Sequence, residues 1–414
     1  MASDTQHHMD DPEEERSWAG DFNPFEDPEE RRVLFATLDS FRQYRRTAHM
    51  NTTHRRRQAF YALPSSHSQM LAAAPFSLLE NFNHVDDAID TNAEIADAIL
   101  ATALQSFGLP VEPKADDSRQ NWHGTATHSD VNKAHSTIRQ FYRDWSSEGR
   151  PEREVCYDPV LQDLKQEFTN RHGSLDQVKV LVPGAGLGRL VFDICREGFA
   201  AEGNEISYHQ LIASNWVLNH TLGPQKHALY PFALQFSNLR SRQQQLKKIM
   251  IPDVHPGQAM MAAQATEDTE RPPFGTMSMS AADFMVLYTN ESNKEAFDAV
   301  ATVFFIDTAP NIIRYIETIR HCLKPNGIWI NVGPLLWHFG EGHTGHNHEH
   351  QGLGEPGSVE LTQEEVFLLV ERMGFRIEKW PNDEQASCGY IQDPESMLQN
   401  LYRPAHWVAR KIND

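Results

Sequence analysis

The chain has 414 residues, 40% of them apolar and 10% aromatic, which is the composition of a soluble globular protein with a sizeable core. Acidic residues outnumber basic ones by 57 to 37, and this net charge of −20 argues against a constitutive nucleic-acid binder, whose affinity would depend on Lys and Arg. No apolar run approaches the roughly 20 residues that span a bilayer, the N-terminus lacks the features of a signal peptide, and the four cysteines form no CxxC pair. We therefore expect an intracellular protein without a membrane partner, located in the cytoplasm, with the nucleus left open as a second location.

The first 130 residues predict a tail followed by helices. Residues 1–27 form an acidic tail that we expect to be disordered, because it combines strong negative charge with little apolar content. Residues 28–130 are predicted to be a helical region, since apolar side chains recur there at steps of three and four. Eight arginines lie between Arg31 and Arg57. They can pair with the tail or bind a polyanion, but a solvated helix face is the interpretation we favour.

Strands alternate with helices after the helical region, which predicts an α/β fold with a doubly wound, Rossmann-like sheet in residues 131–414. The run VKVLVP at 178–183 suits a buried parallel strand, and AAEGNEIS, beginning at Ala200, predicts the next strand. Two stretches, 252–277 and 340–358, are rich in loop-forming residues and are predicted to be loop insertions.

The most informative segment is a glycine loop after the first predicted strand, with glycines at Gly184, Gly186 and Gly188. Glycines there let the backbone approach a ligand closely and leave the N-terminus of the next helix open to it. Glu205, at the end of the second predicted strand, is placed to accept hydrogen bonds from both hydroxyls of a ribose. The combination predicts a nucleoside-containing cofactor, either NAD(H) or S-adenosyl-L-methionine, and the tight glycine spacing favours the latter.

A second acidic position supports S-adenosyl-L-methionine. Asp283 follows the presumed third strand, where its carboxylate can accept a hydrogen bond from the adenine amino group while the neighbouring Phe284 packs on the base. The alternative is that Asp283 is an ordinary strand-end acid and Phe284 a core aromatic residue. The spacing favours the role at the cofactor.

Long motifs of this chain resemble the carnosine N-methyltransferases of the N2227-type methyltransferase family, namely LVPGAGLGRL, STIRQFYRDWS, FFIDTAPNIIRYIETI and KPNGIWINVGPLLWHF. The resemblance is dense over residues 132–410 and looser over the N-terminal helices. It implies a Rossmann-like class I methyltransferase domain that uses S-adenosyl-L-methionine to methylate the imidazole of the dipeptide carnosine, forming anserine. It also implies that Gln140 and Arg143 lie at the cofactor, where an arginine can clamp a carboxylate. We assign Val303 to the cofactor site as well.

Methylation of an imidazole needs a group that accepts a hydrogen bond from the nitrogen that does not react. A carboxylate suits this role because it also stabilises the cation that forms. Asp307, expected at the end of an apolar strand, is the candidate, and it lies in the FFIDTA segment whose aspartate contacts the carnosine imidazole in the family. The alternative role for Asp307 is to cap the next helix, which Thr308 or Asn311 can also do.

Three further residues are assigned to the acceptor by the resemblance. His338 is expected beside the imidazole, where it orients the ring or relays its proton, whereas the sequence alone would favour a core histidine. Tyr390 and Tyr402 resemble tyrosines that line the substrate pocket of the family and that can pack against an imidazole. Asn400 stands where the better-known animal members tend to carry another aromatic residue.

No metal is expected, because methylation by a sulfonium needs no Lewis acid. Four histidines lie in a glycine-rich loop without a cysteine, so we favour a solvated loop over a metal site for His343, His346, His348 and His350. The leading hypothesis is an enzyme, an S-adenosyl-L-methionine-dependent N-methyltransferase acting on a small histidine-containing peptide, with a homodimer left open. The alternatives are a methyltransferase for protein histidine or another small amine, and a non-catalytic methyltransferase-like interaction protein.

Overall fold

The computed structural model describes residues 24–117, 119–169, 174–265, 273–338, 357–382 and 386–412. The first part of the described chain is helical and consists of α1 (Pro28–His49), α2 (Arg55–Tyr61), α3 (Ser65–Ala72), α4 (Leu78–Phe107), α5 (His128–Trp145), α6 (Arg150–Cys156) and α7 (Asp158–Phe168). A short π-helical turn, Met50–His54, joins α1 directly to α2. Among the described helices, none is long and apolar enough to cross a membrane.

The second part alternates between strands and helices. The strands are β1 (Lys179–Pro183), β2 (Ala200–Glu205), β3 (His227–Leu229), β4 (Ile249–Ile251), β5 (Met277–Ala281), β6 (Phe297–Val303), β7 (Leu323–Gly333), β8 (Phe375–Lys379) and β9 (Ala405–Lys411). The helices between them are α8 (Arg189–Arg196), α9 (Tyr208–Asn219), α10 (Arg242–Gln245), α11 (Pro256–Ala265), α12 (Phe284–Tyr288), α13 (Ile312–Cys322) and α14 (Gln363–Arg372). The α/β prediction for this part is confirmed.

Seven strands form one sheet in the order β5-β2-β1-β6-β7-β9-β8, while β3 and β4 pair separately. The first five strands of the sheet are parallel, and β9 runs antiparallel between β7 and β8. Pro183 at the end of β1 pairs with Asn204 of β2, and Val303 at the end of β6 pairs with Val332 of β7. The carboxyl ends of the parallel strands therefore meet at one edge, which is where open α/β sheets bind their ligands.

Alternating side chains of the central strands fill two cores, one on each face of the sheet. Val180 and Val182 of β1 pack towards α6, α7 and α8, whereas Leu181 packs towards α12, α13 and α14. A third core joins the N-terminal helices to α9, and Phe41 of α1 and Trp216 of α9 both belong to it. The helical region therefore shares its core with the α/β part, and α5 packs against both α1 and α9.

One predicted loop is wrong. Residues 252–277 contain α11 over 256–265, and the last of them, Met277, is the first residue of β5. The reason is that Pro256 and Gly257 fall in the first helical turn, where proline is well tolerated, and the following Met, Ala and Gln residues are strong helix formers. Of the other predicted insertion, 340–358, only residues 357 and 358 are among the described residues.

The end of the predicted disordered tail also needs correction. Phe25 packs edge-to-face against Phe35 and Phe107, with ring centroids 6.5 and 6.2 Å apart. Asp27 caps α1 by accepting a hydrogen bond of 2.8 Å from the backbone N–H of Glu29. Residues 24–27 are therefore structured because they supply an apolar contact and a helix cap, and residues 1–23 lie outside the described part.

The arginines of α1 and α2 contact α4 more than the solvated-face interpretation implied. Arg45 donates to Asp90 at 2.6 Å and to Asp97 at 3.0 Å, and Arg57 lies 2.6 Å from Asp86. The acidic partners of these two arginines are thus on the neighbouring helix.

Two deletions test the boundary of the tail. Removing residues 1–23 should leave the free energy of unfolding unchanged, whereas removing residues 1–27 should lower it by about 2 kcal/mol, because a helix cap and the buried part of one phenylalanine are lost. Urea unfolding of both proteins measures the difference, and the shorter deletion is the control. Equal stability of the two would show that Phe25 and Asp27 contribute nothing to α1.

Candidate active site

The glycine loop approaches its neighbours so closely that side chains are excluded from it. Gly184 has φ +68°, and a Cβ atom there would lie 2.6 Å from Cδ2 of Phe305. A Cβ atom at Gly186 would lie 3.1 Å from Nε2 of Gln140. Gly188 forms the N-cap of α8 with φ +75°. At its glycines the loop therefore presents backbone at the carboxyl edge of the sheet.

Glu205 ties the end of β2 to the glycine loop. Its buried carboxylate accepts hydrogen bonds from the backbone N–H groups of Gly186 at 2.9 Å, of Ile206 at 2.9 Å and of Ser207 at 2.8 Å. Burial raises the pKa of Glu205, and these three backbone hydrogen bonds oppose the rise. Since each carboxylate oxygen can accept more than one hydrogen bond, Glu205 keeps capacity for a ribose.

A chain of amide side chains lies above the glycine loop. Nε2 of Gln210, on α9, donates to Oε1 of Gln140 at 2.8 Å, and Nε2 of Gln140 donates to Asp144 at 3.0 Å. The amide oxygen of Gln210 is buried and has no hydrogen-bond partner among the described residues. This oxygen is an unused acceptor beside Gly186. It lies 3.9 Å from the position that a Cβ atom on Gly186 would occupy.

Arg143 is a buried cation enclosed by aromatic rings. Its guanidinium carbon lies 4.5 Å from the ring centroid of Tyr390, 5.2 Å from that of Tyr157 and 5.5 Å from that of Phe304. The nearest carboxylate, that of Asp144, is 3.9 Å from Nη1. Nε and Nη2 are buried without a hydrogen-bond partner among the described residues. A buried guanidinium with two unused donors is suited to a carboxylate ligand.

The second acidic position has a structural role of its own. Asp283 caps α12, because its Oδ1 accepts from the backbone N–H groups of Met285 at 2.8 Å and Val286 at 3.0 Å. Phe284 is buried, 5.5 Å from Phe305 by ring centroids. The ring that touches the glycine loop is thus Phe305, with Phe284 packed behind it. The cofactor roles of Asp283 and Phe284 stay predictions.

Asp307 does not end a strand as expected. Strand β6 ends earlier, at Val303, and Asp307 lies in a 3₁₀ turn, Ile306–Thr308. Its side chain is 1% exposed, and Oδ2 accepts a hydrogen bond of 2.8 Å from the backbone N–H of Leu336. Burial raises the pKa of Asp307, and the hydrogen bond from Leu336 and nearby His338 oppose the rise. The helix cap of α13 is Asn311, which leaves Asp307 available for another role.

His338 and the two predicted tyrosines lie in segments that meet this turn. The backbone N–H of His338 donates to the carbonyl oxygen of Asp307 at 3.2 Å, and the imidazole of His338 is exposed. The rings of Tyr390 and Tyr402 pack on Phe304 with centroid distances of 5.4 and 5.6 Å. The structure therefore brings Asp307, His338 and both tyrosines to one end of the sheet.

Residues with left-handed backbone conformation lie beside the same candidate site residues. Eight non-glycine residues of the described chain have positive φ, and the three large apolar ones among them are Phe304, Trp337 and Ile391, with φ of +52°, +46° and +55°. Phe304 lies three residues before Asp307. Trp337 directly precedes His338, and Ile391 directly follows Tyr390. Left-handed backbone is costly for large side chains and tends to occur at functional sites.

Sequence reasoning missed Phe305, Gln210 and Asp144. Phe305 was taken as part of an apolar strand, because nothing in FFIDTA reveals that the strand ends two residues before it. Gln210 carries a weak signal, as a polar residue in the first turn of the helix that follows Glu205. Asp144 stands next to Arg143 in the motif, but its contact with Gln140 depends on the helix geometry.

No metal site is found in the described ranges, where no group of three or more His, Cys, Asp or Glu residues is arranged to hold an ion. The histidine-rich stretch, His343 to His350, lies outside those ranges. The four cysteines are all buried free thiols.

The sheet order, the glycine loop after β1 and the acid at the end of β2 define a class I S-adenosyl-L-methionine-dependent methyltransferase, and S-adenosyl-L-methionine is its cofactor. A family model described as carnosine N-methyltransferase matches residues 120–413. The chain belongs to the carnosine N-methyltransferase family.

Two relatives that carry the family's name agree with this assignment. A protein of Schizosaccharomyces pombe named carnosine N-methyltransferase is 36% identical over 93% of this chain and 97% of its own length. The mouse protein of the same name is 35% identical over 92% of this chain and 86% of its own. Among solved structures, a Burkholderia thailandensis 1,6-didemethyltoxoflavin-N1-methyltransferase with bound S-adenosylhomocysteine aligns with a TM-score of 0.33 at 15% identity, over 73% of this chain and 94% of that one.

The glycine loop generates a test of the cofactor site. Gly184→Ala should weaken binding of S-adenosyl-L-methionine at least tenfold, because the new methyl group would collide with Phe305 and displace the loop. Gly124→Ala is the matched control, since Gly124 has a similar φ of +72° but no atom of the described residues within 4 Å of its Cβ position. Calorimetry measures both affinities. Wild-type affinity in Gly184→Ala would move the cofactor away from this loop.

Proposed function

We propose that this protein methylates a ring nitrogen of the imidazole in a small histidine-containing dipeptide, carnosine, and so forms anserine. The observation that carries the proposal is the buried carboxylate of Asp307 at the carboxyl edge of the sheet, three residues after the aromatic ring that borders Arg143. Membership of the family and the names of the relatives support this acceptor.

The residues present fit the cofactor. The Nε and Nη2 donors of Arg143, which have no partner among the described residues, suit the carboxylate of its amino-acid end, and Glu205 suits its ribose. Gly184 and Gly186 let the backbone of the loop pack directly against Phe305 and Gln140 at this edge of the sheet. When bound, S-adenosyl-L-methionine supplies an electrophilic methyl group on a sulfonium.

Asp307 is the residue proposed to select the reactive nitrogen. Its hydrogen bond from Leu336 fixes the orientation of the carboxylate and leaves further acceptor capacity for the N–H group of an imidazole. A ring held in this way presents its other nitrogen unprotonated, and only that nitrogen can attack a methyl group. The fixed negative charge stabilises the cation that develops on the ring.

The same carboxylate is suited to take the proton that the methylated ring must lose. Because burial raises the pKa of Asp307, the group accepts a proton more readily than an exposed aspartate does. We assign to the exposed imidazole of His338, which interacts electrostatically with Asp307, the role of passing this proton to water.

A substrate panel tests the proposed function directly. Purified protein is incubated with S-adenosyl-L-methionine and carnosine, homocarnosine, histidine or Gly-Gly-His, and the products are identified by mass and NMR. We expect methylation of carnosine on one ring nitrogen. Methylation of none of the four would contradict the proposal and favour a protein acceptor or a non-catalytic role.

Replacing Asp307 tests the mechanism. In Asp307→Asn the amide oxygen can still accept from Leu336, but the fixed charge is lost and an NH₂ group replaces an acceptor. We expect kcat to fall roughly 100-fold, since a charge-assisted hydrogen bond in a dry site is worth a few kcal/mol, with binding of S-adenosyl-L-methionine unchanged.

Asp163→Asn is the control for this variant. Asp163 is also a buried aspartate, but it pairs with Lys379 and His406. This control should keep its turnover per folded molecule. Near-normal turnover in Asp307→Asn with intact cofactor binding would place the acceptor elsewhere.

Turnover should survive a chelator, because methyl transfer from a sulfonium to an imidazole requires no Lewis acid. The measurement is the rate of carnosine methylation before and after dialysis against EDTA. Loss of the rate, with recovery on addition of zinc, would show that a metal ion takes part and would direct attention to the stretch from His343 to His350.

A further inference from the structure

A second cleft begins behind Tyr390, between the N-terminal helices and the segment that follows β3. Its volume is about 390 Å³, and its lining residues include Arg139, Gln235, Tyr390 and Ile391. None of the lining residues that the structure describes is acidic, and the single permanent charge among them is the guanidinium of Arg139. The cleft is therefore suited to a small polar ligand that carries a negative charge.

Arg139 is held in place but has an unused donor. Its Nη2 donates to the carbonyl oxygen of Ile391 at 2.6 Å. With its amide oxygen turned towards the guanidinium, Gln235 accepts from Nη2 at 2.9 Å and from Nη1 at 3.2 Å. Nε is buried and has no partner among the described residues. Burial lowers the pKa of Arg139, and the charges of Glu152 and Asp393 oppose this change.

The arginines that line another cavity of the fold all have carboxylate partners. A cavity of about 770 Å³ beside α8 contains Arg150, Arg153, Arg189 and Arg196. Each of these four guanidinium groups lies within 4.0 Å of a carboxylate of the chain. Arg139 has no such ion pair in the described part of the chain, although it is half-buried.

Tyr390 connects this cleft to the candidate active site. Its ring packs on Phe304 and lies 4.5 Å from the guanidinium carbon of Arg143, at the end of the sheet that carries Asp307. The same residue lines the cleft of Arg139. Since Arg139 and Arg143 are four residues apart on α5, their side chains project from the same face of the helix, one turn apart.

We propose that this cleft binds the carboxylate of the acceptor peptide and that Arg139 is the residue that recognises it. The inference rests on the proposed function, because it requires the imidazole to lie at Asp307. In a peptide with a C-terminal histidine, only Cβ and Cα separate the ring from the carboxylate carbon, so ring and carboxylate occupy neighbouring subsites. The cleft would then select a free C-terminal histidine and reject a histidine within a protein chain.

The test compares two acceptors that differ only in this carboxylate. Carcinine, β-alanylhistamine, is carnosine without its carboxylate. Wild-type protein should methylate carcinine with a kcat/KM about 10- to 100-fold below that for carnosine, as expected for the loss of one hydrogen-bonded ion pair. Arg139→Gln should lower kcat/KM for carnosine by a similar factor, mainly through KM, and should leave kcat/KM for carcinine unchanged.

Two further variants serve as controls. Arg150→Gln removes an exposed guanidinium on the next helix and should change neither acceptor. Arg139→Lys keeps the charge and should recover part of the carnosine activity. Carcinine turnover also reports folding, because a misfolded Arg139→Gln protein would lose both activities together with its affinity for S-adenosyl-L-methionine.

The outcomes separate the two proposals. Equal kcat/KM of the wild-type protein for carnosine and carcinine, or an equal loss for both acceptors in folded Arg139→Gln, would overturn the carboxylate subsite and leave the proposed function intact. Methylation of neither acceptor by the wild-type protein would overturn the proposed function and, with it, this subsite.

Discussion

The buried guanidinium of Arg143 is the interaction on which the arrangement of the site depends. Burial of a cation is costly unless other groups compensate for the lost hydration. Here the compensation comes from the rings of Tyr157, Phe304 and Tyr390, which belong to α6–α7, the turn after β6 and the C-terminal segment. Three distant parts of the chain therefore converge on one side chain. Its Nε and Nη2 still lack a partner among the described residues, which suits the guanidinium to an anionic ligand.

Two arginines of neighbouring helices fix the position of the C-terminal end of α5, where Arg143 lies. Arg153 donates to the backbone carbonyl oxygens of Arg143 and Ser146 at the end of α5. Arg189 of α8 donates to the carbonyl oxygen of Asp144 at 2.8 Å. Both arginines also pair with Asp253. Cations thus satisfy the carbonyl groups that a helix leaves unpaired at its C-terminus, and they fix where Arg143 stands.

Three acidic side chains at the carboxyl edge differ in environment and therefore in role. Glu205 accepts three backbone N–H groups and keeps capacity for a further donor, which suits it to neutral hydroxyls. Asp283 caps α12 by accepting two backbone N–H groups of its first turn. Asp307 accepts the backbone N–H of Leu336 in a buried turn, where its negative charge is least compensated. A developing cation is the charge that such a site stabilises best.

A methyltransferase site that also binds the free carboxylate of its acceptor would explain selectivity without a deep pocket. The helical layer would then contribute twice, through Arg143 to the cofactor and through Arg139 to the acceptor. Both residues lie on α5, which precedes the first strand of the sheet.

The sequence by itself determined the α/β class, the cofactor loop and Glu205, because a buried strand, a glycine pattern and a strand-end acid are local signals. It missed α11 and the end of β6, and it gave no sign of the aromatic enclosure of Arg143 or of the cleft at Arg139. Only the tertiary structure decided the end of β6, the aromatic enclosure and the cleft, because they require the left-handed turn at Phe304 and contacts between segments that lie far apart in the chain. Helix α11, in contrast, follows from local helix-forming residues.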